Sequence, residues 1–292
     1  MKNTQPLDAL ITSIIKALIP WFTAFCLFSQ ATLSFSAVPA KKDHFIIGAA
    51  GVVNTQPYEG LNGFVDPMPL FDIQYGPLFL YNNNDEPIVG LNLLSGESVT
   101  LSIGTTYGRT FLDVGKVKDN RKFLYYGIKN RGRSIDFGLL ANYYAPIGLV
   151  EATLFRDISN KSGGFHGLMS ISKVVPDTGN FVITPRFFAK YYSLQFNNYY
   201  YRVTDAENNA GALLAEQLNR TTRADFIKRR PSYNSRTSGH LGVDVNVVLN
   251  LNSNMKLNGY LSYENFTGPV ETSPLVEDKA LIVGSFGFSY EF

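Results

Sequence analysis

The sequence predicts an all-β fold: a transmembrane antiparallel β-barrel of about twelve strands, ten being the alternative, with short periplasmic turns and longer extracellular loops. Three observations predict it. The last stretch, Lys279 to Phe292, alternates with period two and ends on an aromatic carboxyl terminus. Alternating runs of about ten residues recur from residue 45 onward, whereas strands of soluble proteins average about five or six. The links between the runs alternate between tight and loose.

In the last stretch, Ala280, Ile282, Gly284, Phe286, Phe288, Tyr290 and Phe292 share one face, and Leu281, Val283, Ser285, Gly287, Ser289 and Glu291 the other. An apolar side toward lipid and a small or polar side toward the lumen is what a closing strand needs. Ser285, Gly287, Tyr290 and Phe292 also resemble the terminal signature of outer-membrane barrels, which the barrel-assembly machinery reads.

Residues 1–40 read as a signal peptide. Ala17 to Phe28 is an uninterrupted apolar run, shorter than the roughly 20 residues of a membrane-spanning helix, and a small, polar stretch follows it. Cleavage after Ser36 and cleavage after Ala40 both fit, which leaves 41–292 as the barrel. The single cysteine, Cys26, lies in this leader, and Phe25 before it argues against lipoprotein processing. The mature chain therefore has no disulfide and no thiolate metal site.

A net charge of +2 gives no case for nucleic acid. Export, abundant tyrosine and phenylalanine, and alternation leave a transmembrane barrel or a secreted soluble β domain. The runs decide between them. Twelve strands are expected at 45–53, 65–75, 78–83, 88–94, 99–109, 133–144, 148–158, 164–175, 181–192, 237–251, 255–267 and 279–292. The tight links are Gly76-Pro77, Ser95-Gly96-Glu97, Ala145-Pro146, Asp177-Thr178-Gly179-Asn180 and Asn252-Ser253-Asn254, all rich in turn formers. The loose links are 54–64, 82–87, 110–132, 159–163, 193–236 and 268–278. Tight and loose alternate throughout, as in an outer-membrane barrel.

Asp136, Asp244 and Asn246 fall on the polar side of their strands. A cation on the lipid face at mid-depth would cost about 2–4 kcal/mol, so Arg186 and Lys190 are also expected to face the lumen. In the long link 193–236, Tyr199-Tyr200-Tyr201 precedes a short amphipathic helix over 205–219. The cationic run Arg220, Arg223, Lys228, Arg229, Arg230 and Arg236 follows. Such a link is a constriction folded into the lumen, a cap gripping lipopolysaccharide phosphate, or a solvated loop. Lys116, Lys118, Arg121, Lys122, Lys129 and Arg131 make the link 110–132 basic as well.

Catalytic chemistry is sparse. His44, His166 and His240 are the only histidines. His166 and Ser170 lie about 13 Å apart along a strand, too far for proton transfer. His240 and Ser238 are nearer, but no third residue is placed by sequence to orient the ring. No catalytic, cofactor or metal site is expected. Glu59, Asp66, Asp72 and Asp85 are acidic but lack the spacing of a calcium loop.

The mature chain as a whole resembles the MipA/OmpV outer-membrane proteins (MltA-interacting protein). The resemblance rests on ordered pieces: Gly51-Val52-Val53, Pro57-Tyr58-Glu59-Gly60, Pro67-Met68-Pro69-Leu70-Phe71-Asp72-Ile73-Gln74-Tyr75-Gly76, Gly108-Arg109, Gly164-Phe165-His166-Gly167, Tyr200-Tyr201-Arg202-Val203-Thr204 with Ala206, Ser273-Pro274-Leu275-Val276 and Tyr290-Glu291-Phe292. Phe165 stands where a glycine-histidine pair is more usual, and Arg202 where glycine is expected. The sparse catalytic chemistry leads us to expect no enzymatic activity, and the resemblance implies a Gram-negative outer-membrane protein. It implies either a scaffold for a lytic transglycosylase and a penicillin-binding protein at the murein layer, or a porin-like channel for small solutes.

Overall fold

Twelve strands form where the sequence alternates: β1 (His44–Asn54), β2 (Phe64–Tyr75), β3 (Leu78–Asn83), β4 (Glu86–Ser95), β5 (Val99–Tyr107), β6 (Ile135–Ala145), β7 (Gly148–Asp157), β8 (Phe165–Ser172), β9 (Phe181–Tyr192), β10 (Ser238–Asn250), β11 (Met255–Phe266) and β12 (Ala280–Glu291). The structure is a computed structural model and describes residues 43–61, 64–83, 86–108, 110–175 and 180–292. The expected leader, with its cleavage after Ser36 or Ala40, lies outside the described residues, as do Asp85, Arg109 and the turn residues Asp177, Thr178 and Gly179.

Each strand pairs antiparallel with its neighbours in sequence, and β1 pairs with β12, so the sheet closes on itself. Following the registers around the cylinder from Gly48 returns to β1 roughly sixteen residues further along, which for twelve strands corresponds to a tilt of about 45°. No helix among the described residues is long and apolar enough to cross a membrane; the strands do the crossing.

Tight turns join β2–β3, β4–β5, β6–β7 and β10–β11 at one end, where β8 also passes to β9. The loops at the other end are L1 (55–63), L2 (84–85), L3 (108–134), L4 (158–164), L5 (193–237) and L6 (267–279). L2 corrects the expected alternation of tight and loose links. The ladder of β3 with β4 runs on to Asn83 and Glu86, leaving two residues where a loose link over 82–87 was expected. This makes the wall low at that point. Among the described residues, β3 pairs with β2 where Asp72–Tyr75 face Leu78–Tyr81. Above that, Asn82 Oδ1 accepts the Phe71 N–H at 2.5 Å. By strand alternation the N–H groups of residues 67 and 69 would point to the same side, but both are proline and have none.

The two faces separate as the chemistry requires. Phe45, Phe137, Leu139, Leu154, Met169, Phe187, Leu241, Leu261, Tyr263 and Phe286 are exposed on the outside, the lipid-facing surface. A bulge between Asn92 and Leu94 turns both Leu93 and Leu94 outward. Inside, Phe79, Ile88, Leu140 and Phe155 pack together with Tyr81 against them. The lumen also holds a polar network. Arg186 donates through Nε and Nη2 to Asp244 Oδ2 at 2.9 and 2.7 Å, and Nη1 lies 3.5 Å from Glu151 Oε2. Glu151 Oε2 also accepts from Ser170 Oγ at 2.8 Å, and Tyr260 Oη lies 3.3 Å from Asp244. Asn246 shares the inward face two residues beyond Asp244.

The closing seam rests on glycine at Gly287. A Cβ there would lie 2.6 Å from Ala49 O and from Ala50 Cβ of β1, whereas one at Gly284 would meet only Tyr260 O at 3.9 Å. We expect Gly287→Val to abolish the heat-modifiable folded band on refolding, and Gly284→Val to retain it. The ion pair gives a second prediction. Arg186→Met strands the buried Asp244 carboxylate and should lower stability to urea by about 3–5 kcal/mol, with much of the loss restored in Arg186→Met/Asp244→Leu.

Candidate functional site

The strands end at their upper rim in inward-facing apolar residues, Val52, Phe266, Leu281 and Val283. Four loops pack onto these. L1 contributes Tyr58 and Leu61; L3 contributes Leu112, Val117, Leu124, Tyr125 and Ile128; L6 contributes Val270 and Leu275; L5 contributes Phe196, Tyr200, Tyr201 and Val203. Together they form one contiguous apolar lid across the extracellular mouth. Tyr200 and Val270 are fully buried in it.

The sequence reading places one helix in L5; the structure has three. Ser193 caps α1 (Leu194–Tyr201), accepting from the Phe196 N–H. α1 thereby turns Phe196, Tyr200 and Tyr201 into the lid core. Thr204 and Glu207 form a capping box at the start of α2 (Asp205–Gln217), a spacing that was present in the sequence. α3 (Thr221–Arg229) packs back on α2 through Ala212, Ala215, Ala224 and Ile227, with Tyr126 of L3 against them.

Several buried hydroxyl groups in the lid donate to backbone carbonyls. Tyr58 Oη donates to Tyr200 O at 3.3 Å, Tyr125 Oη to Glu59 O at 2.7 Å, and Ser273 Oγ to Tyr201 O at 2.8 Å. Burial pushes the phenols of Tyr58, Tyr125, Tyr200 and Tyr201 well above their ordinary range.

Two chains of hydrogen bonds tie the lid region to the wall. In one, Asn197 of α1 donates through Nδ2 to Arg236 O at 2.6 Å and to Ser238 Oγ at 2.9 Å. Ser238 Oγ lies 3.3 Å from His240 Nε2, His240 Nδ1 lies 2.8 Å from Glu264 Oε1, and Lys190 Nζ donates to Glu264 Oε2 at 2.6 Å. In the other, Asp136 Oδ2 accepts from Ser134 Oγ at 3.0 Å and lies 3.0 Å from His166 Nε2, whose ring stacks near Phe155, Tyr192 and Phe196. A cavity of about 50 Å³ lies beside Asp136, His166 and Tyr200.

Glu264 is the ring-orienting partner of His240 that sequence spacing leaves out. It sits on the next strand, and only the register of β10 with β11 brings it near. A Ser-His-Glu order results, but Ser238 is 3 % exposed and already accepts from Asn197, and the His240 ring lies between Tyr192 and Phe266. As folded, the arrangement is a buried strut that ties α1 to the barrel wall.

The other expected positions divide as follows. Arg186 and Asp244 come together, Lys190 joins Glu264, and Asp136 joins His166. Ser285 and Gly287 lie on the inward face of β12, while Tyr290 and Phe292 lie outside with ring centroids 4.8 Å apart. The cationic run does not form a lumen constriction. Arg220 and Arg229 are exposed, Lys228 pairs with Glu216 at 2.6 Å, and Arg223 stacks on Phe123 of L3. Arg230 is buried, donating to Asn208 Oδ1 and to the carbonyls of Leu124 and Tyr126, which fastens the α2–α3 hairpin to L3; burial holds its pKa below the ordinary value. The acidic positions do not converge: Glu59 pairs with Arg121 and Asp72 with His44.

Known proteins resemble this one along most of its length. It is 24% identical over 234 residues to the "24 kDa outer membrane protein" of Pasteurella multocida (strain Pm70), covering 78% of this chain and 82% of that one. It is 23% identical over 167 residues to the "Putative outer membrane protein YiaT" of Escherichia coli O157:H7, covering 57% of this chain and 65% of that one, just under two thirds of its length. Among solved structures, an outer membrane channel from Pseudomonas putida F1 matches with TM-score 0.41 at 8% identity, covering 89% of this chain and all of that one. OmpTdeltaL8 of Vibrio cholerae matches with TM-score 0.35 at 8% identity, covering 78% of this chain and 63% of that one. The family described as "MltA-interacting protein MipA" matches residues 47–292. The closed barrel, its lipid-facing surface and this match together identify a Gram-negative outer-membrane protein that belongs to the MltA-interacting protein MipA family.

Proposed function

We propose that the protein is a non-enzymatic outer-membrane scaffold that engages murein-remodelling enzymes from its periplasmic side. Residues 1–40 serve as its export leader, and the terminal strand with Ser285, Gly287, Tyr290 and Phe292 as its signal to the barrel-assembly machinery. The apolar lid at the extracellular mouth carries this reading: loops packed together over the rim favour a platform over a passage for hydrophilic solutes. The family's description, MltA-interacting protein, supports a murein transglycosylase as partner; a penicillin-binding protein as a second partner is part of the proposal alone. The tight turns offer little surface, so contact falls on the periplasmic rim, where Tyr75, Leu78 and Leu251 at the strand ends are exposed.

The test is photocrosslinking in intact cells from the exposed turn residues Asn252 and Ser253. Capture of a lytic transglycosylase is the expected outcome, and a rim that captures no murein enzyme rejects the scaffold. The channel reading predicts steady conductance steps in planar bilayers; the packed lid predicts a silent trace. A fluorophosphonate probe should leave Ser238 unlabelled.

The hairpin also carries a pH dependence. Burial works to raise the Glu207 carboxyl, but the Thr204 backbone N–H and Arg131 together hold it below its ordinary value of 4.5. A carboxyl lowered by folding stabilises above its unfolded pKa, and that contribution is lost as pH falls through the folded value. Hydrogen exchange in α2, corrected for its intrinsic pH dependence, should therefore accelerate as the pH falls below the ordinary carboxyl value of 4.5. Glu207→Gln should flatten this response.

A further inference from the structure

On the extracellular side, L3, L4 and L5 enclose an open cleft of about 760 Å³, within the roughly 300–1,000 Å³ of ordinary ligand sites. Its walls meet closely. Gly127 of L3 has a φ of +81°, and a Cβ there would lie 2.0 Å from Glu207 O of α2. Lys129, Arg131, Gln195, Asn198, Tyr199 and Arg202 line the cleft.

The hydrogen-bonding balance of this lining is one-sided. Glu207 is its only carboxylate, and both oxygens are occupied: Oε1 by Arg131 Nη2 at 2.5 Å, and Oε2 by the Thr204 N–H and hydroxyl at 2.9 and 3.0 Å. Lys129 and Arg202 are exposed and form no ion pair among the described residues. Arg131 Nε is buried without a partner. Asn198 uses its Oδ1 to accept from the Ser235 N–H, which leaves its amide N–H₂ group to donate. Tyr199 Oη accepts from the Gly132 N–H at 3.0 Å and keeps its own proton for a further acceptor. The cleft is thus rich in donors, net cationic, and walled by an aromatic ring.

We propose that this cleft binds a phosphorylated saccharide at the cell surface. Lys129 and Arg202 take the phosphate, Arg through paired N–H donors and Lys as a point charge. Asn198, Gln195 and Tyr199 take sugar hydroxyls. Neither the periplasmic scaffold role nor the lumen enters this assignment. Two sources share the chemistry: the core of lipopolysaccharide around the barrel, and a soluble sugar phosphate.

The experiment is isothermal titration of the full refolded protein in detergent with four probes: deacylated lipopolysaccharide oligosaccharide, the same material dephosphorylated, a hexose 1-phosphate, and inorganic phosphate. The oligosaccharide or the hexose phosphate should bind, weaken with added salt, and lose about tenfold or more in Lys129→Gln/Arg202→Gln. Both residues are exposed, and an unchanged heat-modifiable band verifies that the variant is folded. Tighter binding of the oligosaccharide assigns the ligand to lipopolysaccharide; tighter binding of the hexose phosphate assigns it to a soluble sugar. The proposal is overturned if no sugar probe binds, if the dephosphorylated oligosaccharide binds equally well, if inorganic phosphate alone binds as tightly, or if the double variant binds unchanged.

Discussion

Hydrocarbon offers no hydrogen bonds, so every backbone N–H and C=O at that depth must find its partner within the protein. This constraint decides the fold. A sheet satisfies it only by closing, and the closing seam is β1 against β12, from Ile46 opposite Glu291 to Asn54 opposite Val283. The rest follows from closure. Side chains alternate between lipid and lumen, and charged groups that would be costly outside are brought together inside. Arg186, Asp244 and Glu151 meet there from β9, β10 and β7, so the network braces the wall across strands that are not all neighbours.

The extracellular end obeys a different rule. Above the rim water is available, and loops are free to take any shape that buries their apolar residues. L1, L3, L5 and L6 use this freedom to build one core together, which none of them is large enough to form alone. The polar groups drawn into it are satisfied mostly by backbone carbonyls, as with Tyr58, Tyr125 and Ser273. Arg230 does the same for the hairpin, spreading its donors over Asn208, Leu124 and Tyr126. A cation in a basic run thus serves as an internal fastener, while its neighbours Arg229 and Lys228 stay at the surface.

The wall was legible in the sequence because period-two alternation is local. β9 runs over the residues expected for it, and most strand ends fall within two residues of expectation. The lid was not legible, because its core is assembled from residues far apart in the chain. Tyr58, for instance, meets Tyr200 across 142 positions. The Thr204–Glu207 capping box was local and readable, yet α1 and α3 are held by contacts with L3 and the rim that only the closed barrel supplies. His240 shows the same limit at one residue. Its partner on the sequence-adjacent strand is fixed by register, and register depends on where the turns fall. L2 fails for the converse reason: its polar residues look like a loose link, but the ladder of β3 with β4 runs almost through them.

The low wall at β3 and β4 has a bearing on how such a chain stays single during assembly. A bare strand edge invites any passing strand to zip onto it. Along the upper part of β2, Pro67 and Pro69 remove two of the donors such an intruder would need. The short ladder is therefore self-limiting: it leaves few pairs at one corner of the closed barrel and denies that corner to other chains.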